Sequence, residues 1–386
     1  MRWVGVIALV ATLVMSATAS AAAGQAACPD QQLPPPPSVP VPAELAVPAP
    51  EPLPWPHDPV GGPQLGTCGD VGTAGAPVVG AASWVLADLD TGAVLAARAP
   101  HARHRPASAL KVLTALVVLR RLAPDTVVEG TAEDLRIEGS KAGIGLGGRY
   151  SVRQLLAGLL LNSGNDTAHA LARALGGDAA TVAAMTALAR ELGALDTRPA
   201  TPSGLDGPGM ACSAYDLALL FRVATRDPLF ADTIATRSVP FPGYGAMPGF
   251  ELSNSDKLLA RYPGALGGKA GFTDAARHTL VGAAERGGRR LVVALMRGEQ
   301  APVPMWRQAA ALLDWGFARP AGAAPVGVLV DAAPAPPPSD TRPAAAEAAA
   351  PRPAAPAPSA ALPIGAIAIA IAAAALTLAL RRRSRR

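Results

Sequence analysis

Ser108 and Lys111 are the pair whose types and spacing first suggest chemistry. They stand in Arg105-Pro106-Ala107-Ser108-Ala109-Leu110-Lys111-Val112, at the head of the apolar run 112–119. Pro106 suits the first turn of a helix, where its missing N–H costs nothing. The spacing of Val112, Leu113, Leu116 and Val117 predicts a mostly buried helix. Positions i and i+3 share one helix face, so hydroxyl and amine would sit side by side. A serine becomes a nucleophile when a neighbouring amine has a pKa low enough to take its proton. The N–H groups at a helix start favour the negative charge that then develops. Alone, the pattern is weak and more often describes a helix cap followed by a solvated lysine.

Two later groups supply what such a pair lacks. Ser163-Gly164-Asn165 falls on a break between two helical runs, and Lys269-Ala270-Gly271 begins or lies in a strand. A serine–lysine nucleophile needs a second hydroxyl to pass the proton to the leaving group. It also needs an amide to hold the substrate carbonyl, and a second cation to bias the first lysine. Ser163, Asn165 and Lys269 are of these types.

The elements that must position these residues can be read around them. Residues 83–89 and 93–97 read as two strands joined by the turn Asp90-Thr91-Gly92. Ser151 with Gln154 has capping-box spacing and opens a helix through 161. Residues 166–175, 181–192 and 213–225 follow as helices, the last capped by Ser213. Residues 266–273, 278–284 and 290–297 have strand character, and 305–317 reads as a closing amphipathic helix. The order β-β, several helices, β-β-β-α implies a sheet flanked by helices with an all-helical insertion.

Both ends of the 386-residue chain read differently from its middle. Met1-Arg2, the apolar run 4–15 and small residues 17–21 have the texture of a secretory signal peptide, drawn at 1–23. Residues 24–79 are Pro-rich and read as an extended linker, with the folded domain drawn at 80–318. Residues 319–362 read as a second Pro/Ala-rich linker. Residues 363–380 carry no charge and are long enough for a transmembrane helix. The tail 381–386, with five arginines, would lie in the cytoplasm and leave the domain outside. That tail accounts for all of the net charge of +5, and with aromatics at 4% no nucleic-acid face is indicated. Cys28 and Cys68 flank the Pro-rich segment, and in an exported chain a disulfide between them is expected. Cys212 reads as a small buried residue.

The order Ser-x-x-Lys, Ser-Gly-Asn, Lys-x-Gly resembles the penicillin-recognising serine hydrolases, and more narrowly the D-alanyl-D-alanine carboxypeptidases. The likeness extends to Thr201-Pro202-Ser203-Gly204-Leu205-Asp206, Ala214-Tyr215-Asp216-Leu217-Ala218, Gly271-Phe272-Thr273-Asp274 and Asp314-Trp315-Gly316-Phe317. It implies an α/β (α+β), β-lactamase/transpeptidase-like fold: an antiparallel sheet flanked by helices, with an all-helical subdomain. It implies that Ser108 attacks the bond between two D-alanines of a peptidoglycan stem peptide, forming an acyl-enzyme that β-lactams also form. Lys111 would be the base, Ser163 the relay to the leaving group, and Asn165 the partner of substrate and Lys111. The N–H groups of Ser108 and Phe272 would form the oxyanion hole. Lys269, Ala270, Gly271, Phe272 and Thr273 would line the substrate, with no metal or cofactor.

The chain departs from the family pattern at Ala270, where a hydroxyl residue that helps bind the terminal carboxylate is usual. The arginine usual near the start of the last helix has only Arg307, slightly displaced, as its counterpart. A catalytically weakened relative that binds cell-wall peptide is therefore an alternative. So is a β-lactamase, although no E-x-x-L-N loop lies between Asn165 and Lys269. His101, His104, Arg103 and Arg105 read as a surface loop with no acidic partner, and His169 as a helix-face residue. Asp88 and Asp90 read as turn residues.

Overall fold

In the computed structural model the described residues are 50–334, together with Cys28, Pro34 and Pro48. The first elements are a 3-10 turn, Pro63–Gly66, and a short strand β1, Asp70–Val71. Strands β2 (Ser83–Asp88) and β3 (Ala93–Arg98) form the expected hairpin. Its turn is fixed by Asp88, whose Oδ1 accepts from Thr91 N–H at 2.8 Å. The chain then enters a 3-10 turn, Ala107–Leu110, and helix α1, Lys111–Arg121.

The helical part follows. Strand β4 (Val127–Glu129), the short helix α2 (Ala132–Arg136) and strand β5 (Arg149–Ser151) lead to α3 (Val152–Leu161). Helix α4 (Asn165–Ala174), α5 (Asp178–Leu192), α6 (Ala214–Ala224) and α7 (Pro228–Ala235) come next. The capping box at Ser151 and Gln154 and the Ser213 cap are both present. A hairpin of β6 (Ser238–Phe241) and β7 (Phe250–Ser253), then α8 (Lys257–Arg261), return the chain to the sheet. Strands β8 (Ala265–Thr273), β9 (Arg277–Arg286) and β10 (Arg289–Gly298) form a meander, and α9 (Met305–Ala318) closes it. Strand β11 is Gly327–Val328.

The main sheet is antiparallel in the order β1-β3-β2-β10-β9-β8, with β11 also on β3. The first hairpin and the last meander therefore join through β2 and β10, and the helical part is an insertion between them. Alternation along the strands assigns their two faces. Trp84, Leu86, Leu291, Val293 and Leu295 pack with α9 residues Leu312 and Leu313. Val85, Ala87, Val292 and Ala294 belong to a larger core with α1, α3 and α6. A sheet covered on both faces is apolar at consecutive positions, as these strands are.

The packed body reaches beyond the 80–318 span drawn from composition. Leu65 and Leu329 are buried in the core, β1 and β11 both pair with β3, and Cys28 is bonded to Cys68. Two-residue edge strands are too short to show a period, and single apolar anchors vanish within Pro-rich sequence. The hairpin β6–β7 and the helix α7 were likewise not expected. Helix α1 begins at Lys111 rather than at Pro106. The signal segment 1–23, most of the second linker, the span 363–380 and the tail 381–386 lie outside the described residues. Among the described residues no helix is long and apolar enough to cross a membrane.

Candidate active site

Ser108 sits at a forced junction. Ala107, before it, has φ of 48°, in the left-handed region that costs a non-glycine residue strain. Gly204 explains the tolerance: a Cβ there would strike the Ala107 carbonyl, so two backbones meet where only glycine fits. Gly271 does the same from the other side. A Cβ on it would lie 2.6 Å from the Ser108 nitrogen, so strand β8 passes directly against the Ser108 amide.

Lys111 is fully buried. Its Nζ lies 2.9 Å from Ser108 Oγ, and donates to Asn165 Oδ1 at 2.7 Å and Ser203 O at 2.6 Å. Burial, and then the charge of Lys269, push its pKa well below the ordinary lysine value, with Asp166 opposing. Asp166 gives it no hydrogen bond to hold a proton. Its oxygens accept instead from the backbone N–H groups of Ala142, Gly143, Ile144 and Thr167. A neutral amine has two N–H donors and one lone pair. Two of the three partners, the Ser203 carbonyl and Asn165 Oδ1, can only accept. The lone pair is thereby left to Ser108, the partner with a proton to give. Asn165 is held in the required orientation by donating from Nδ2 to Glu138 O at 2.7 Å.

Ser163 lies on the break between α3 and α4 with φ of 59°, a second strained non-glycine residue in the same cleft. Its Oγ accepts from Lys269 Nζ at 3.0 Å, and Lys269 also donates to Ala270 O at 2.7 Å. Burial lowers Lys269 to about 8, with Asp256 opposing. Lys269 therefore stays mostly charged at neutral pH, and that charge pushes Lys111 further toward its neutral form.

Ser108, Lys111, Ser163, Asn165 and Lys269 are thus brought together as the sequence predicts, with Gly271 at the Ser108 amide. Ala270 and Phe272 alternate with the buried Lys269 along β8 and are exposed. The Phe272 ring lies 4.4 Å from that of His278. Thr273 Oγ1 accepts from Ala276 N–H at 3.0 Å, in the β8–β9 turn. A cavity of about 120 Å³ behind Ala270 is lined by Gly271, His278, Gln300 and Trp306, among others. Arg307 is exposed and stacks on Trp306 at 5.3 Å instead. A second cavity of about 160 Å³, on the other side, is lined by Asn165, His169, Thr201, Ser203 and Leu205, among others.

Sequence reading gave no role to the Ser203 carbonyl, the Glu138 carbonyl or Asp166. A backbone acceptor leaves no trace in residue type, so only the Thr201–Asp206 loop pointed to Ser203. The run before the nucleophile was misread. His101, Arg103, His104 and Arg105 are buried, and Asp196 is the acidic partner, meeting His101 Nδ1 at 2.7 Å and Arg103 Nε at 3.0 Å. Asp196 lies 93 residues beyond Arg103, too far for a local pattern to reveal. His169 pairs with Asp134 at 2.6 Å. Cys212 is buried, as expected, and forms no disulfide.

Residues 70–300 match the family model described as D-alanyl-D-alanine carboxypeptidase, Peptidase_S11. The chain is 51% identical over 243 residues to D-alanyl-D-alanine carboxypeptidase DacB2 of Mycobacterium tuberculosis, covering 62% of this chain and 82% of that protein. It is 34% identical over 253 residues to DacD of Escherichia coli, covering 62% of this chain and 64%, under two thirds, of that relative. Among solved structures, a D-alanyl-D-alanine carboxypeptidase from Mycobacterium tuberculosis superposes with a TM-score of 0.63 at 49% identity, over 66% of this chain and 96% of that one. The Streptomyces K15 DD-transpeptidase gives 0.60 at 27% identity, over 63% and 99%.

Proposed function

The chain belongs to the D-alanyl-D-alanine carboxypeptidase family, and from that premise we propose that it removes the terminal D-alanine of peptidoglycan stem peptides through an acyl-enzyme on Ser108. The observation that carries this reading is the buried Lys111 amine 2.9 Å from Ser108 Oγ, its two N–H donors taken by pure acceptors.

In the acylation step Ser108 Oγ attacks the carbonyl between the two D-alanines and its proton passes to Lys111 Nζ. Negative charge builds on the carbonyl oxygen, next to the Ser108 N–H and the β8 backbone. One well-placed donor there contributes about 3 kcal/mol. The C–N bond then breaks: Ser163, within reach of Lys269, delivers its proton to the leaving amine and is reprotonated by the proton that Lys111 took from Ser108, which leaves Lys111 neutral again. Asn165 holds the acyl-side amide and Lys111 together. Water completes the cycle by hydrolysing the ester, with Lys111 as base again. The protonated Lys269 attracts the substrate's terminal carboxylate. β-Lactams, which present an amide to the same serine, acylate Ser108 and inhibit.

An extracytoplasmic site fits this substrate. The apparent signal segment 1–23 and the Cys28–Cys68 disulfide support export. The uncharged span 363–380 with its arginine tail supports a single membrane anchor at the C-terminus.

The test is to incubate the purified protein with a fluorescent penicillin and then assay D-alanine release from a pentapeptide ending in D-Ala-D-Ala. Stable labelling at Ser108 with D-alanine release is expected. Label that turns over rapidly would make the protein a lactamase. Labelling without release, even for Ala270→Thr, would overturn the carboxypeptidase reading.

A further inference from the structure

The loop 199–210 bears directly on the acylating pair. Its Ser203 carbonyl accepts from Lys111, its Pro202 carbonyl accepts from Thr114 Oγ1 at 2.6 Å, and Gly204 seats it on Ala107. The loop hangs from a small ladder. Arg198 and Ala211 exchange backbone hydrogen bonds at 2.9 and 3.1 Å, and His104 and Cys212 do so at 2.8 Å each. The ladder joins the base of this loop to the run that leads into Ser108.

Residues 51–60 of the leader are fastened to this ladder by their carbonyls. Arg103 donates from Nη1 to Leu53 O at 2.8 Å and from Nη2 to Pro54 O at 3.0 Å. Arg198 Nη2 donates to Glu51 O at 2.7 Å, and His101 Nε2 meets Val60 O at 3.0 Å. The Arg103 guanidinium also lies over the Trp55 ring at 5.2 Å. Asp196 fixes Arg103 and His101 from beneath. The leader here reads Glu51-Pro52-Leu53-Pro54-Trp55-Pro56. Proline at every second position removes backbone donors and favours extended chain, so these carbonyls are free to take side-chain donors. The family match begins at residue 70, so the leader side of this contact lies outside it.

We propose that leader residues 51–60 are a strap that positions the acylating centre, with Arg103 and Arg198 as positioning residues. By holding both roots of the ladder, the strap sets Ser203 against Lys111 and the approach of the chain to Ser108. The proposal rests on Ser108 and Lys111 forming the acyl-enzyme, as above. Segments that only position a reacting group act on the rate, and small displacements are costly there.

The test compares the full chain with its Arg198→Ala, Trp55→Ala, Arg103→Gln and Arg103→Lys variants. The readouts are the acylation rate by fluorescent penicillin, kcat and KM for D-alanine release, and hydrogen exchange over 199–210. Trp55→Ala alters only the contact with the leader, and Arg198→Ala removes the Glu51 bond and a side-chain contact at Gly209 while keeping the backbone pair with Ala211; both should fold. The expected result is a drop in kcat and acylation rate of roughly threefold for each, with KM unchanged and faster exchange in 199–210. Arg103→Gln should lose roughly tenfold or more, and Arg103→Lys should recover part of it by keeping a cation on Asp196. Folded Arg198→Ala and Trp55→Ala proteins with unchanged acylation and unchanged exchange would overturn the strap. Failure of the unaltered protein to label at Ser108 would instead overturn the functional reading beneath it.

Discussion

Two clusters of buried polar side chains lie close together along this chain and behave oppositely. In the first, Lys111 and Lys269 are buried with neutral partners: hydroxyls, a side-chain amide and backbone carbonyls. In the second, Arg103 and His101 are buried against the carboxylate of Asp196. Burial opposes protonation of His101, yet Asp196 wins and the net shift is upward. Burial, and then the charge of Asp196, raise Asp216 to about 8, so this second carboxyl leans toward its neutral form. A buried cation without a carboxylate partner is pushed toward its neutral form, Lys111 further than Lys269; one with a carboxylate is held charged and becomes a fastening. The partner, more than the burial, decides between reactivity and support.

The contrast can be broken from either side. Asp196→Asn removes the charge that Arg103 and His101 share, leaving a buried guanidinium uncompensated. The expected cost is about 3–5 kcal/mol of stability, read as a lower midpoint in thermal or urea unfolding. Asn165→Asp does the reverse and places a carboxylate where Oδ1 now lies 2.7 Å from Lys111. Lys111 should then hold its proton, and acylation at pH 7 should fall roughly 100-fold, recovering as pH is raised. An Asn165→Asp protein that acylates normally at pH 7 would show that pairing does not control this lysine.

Lys269 sharpens the same point through pH. Lowered to about 8, it is charged below that value and neutral above it. Its charge is lost as pH rises through 8, so kcat/KM for the anionic peptide should decline on the alkaline side from about pH 8. In Lys269→Arg, which stays protonated, that decline should move out of range. Ala270→Thr is the smallest change. The position is exposed on β8, where a β-branched residue is well accepted. A hydroxyl there should improve binding of the terminal carboxylate by about 1 kcal/mol, read as a lower KM.

The first cluster was legible in the sequence and the second was not, for physical reasons. Ser108 and Lys111 are three residues apart on one local element, and Ser163 and Asn165 flank one helix break, so spacing alone brings each pair together. Lys269 needed the family pattern to be joined to them. Asp196 meets Arg103 only after the helical insertion has folded, and the residues between them carry no period that links the two. The capping box at Ser151, the hairpin turn at Asp88 and the closing meander were readable because their signals are local. Leader carbonyls and the Ser203 carbonyl were not, since any residue supplies a carbonyl. The Pro-rich texture of 24–79 suggested a linker throughout, yet residues 51–60 are docked on the body.

The central claim is that Lys111 is neutral and acts as the base for Ser108. It is tested most directly by the pH dependence of the second-order rate at which fluorescent penicillin acylates Ser108. The account predicts that the rate levels off well below pH 10.5, because burial and the charge of Lys269 push the Lys111 pKa well below that ordinary lysine value. A rate still climbing about tenfold per pH unit between 7 and 9 would mean a lysine with an ordinary pKa, and would contradict it.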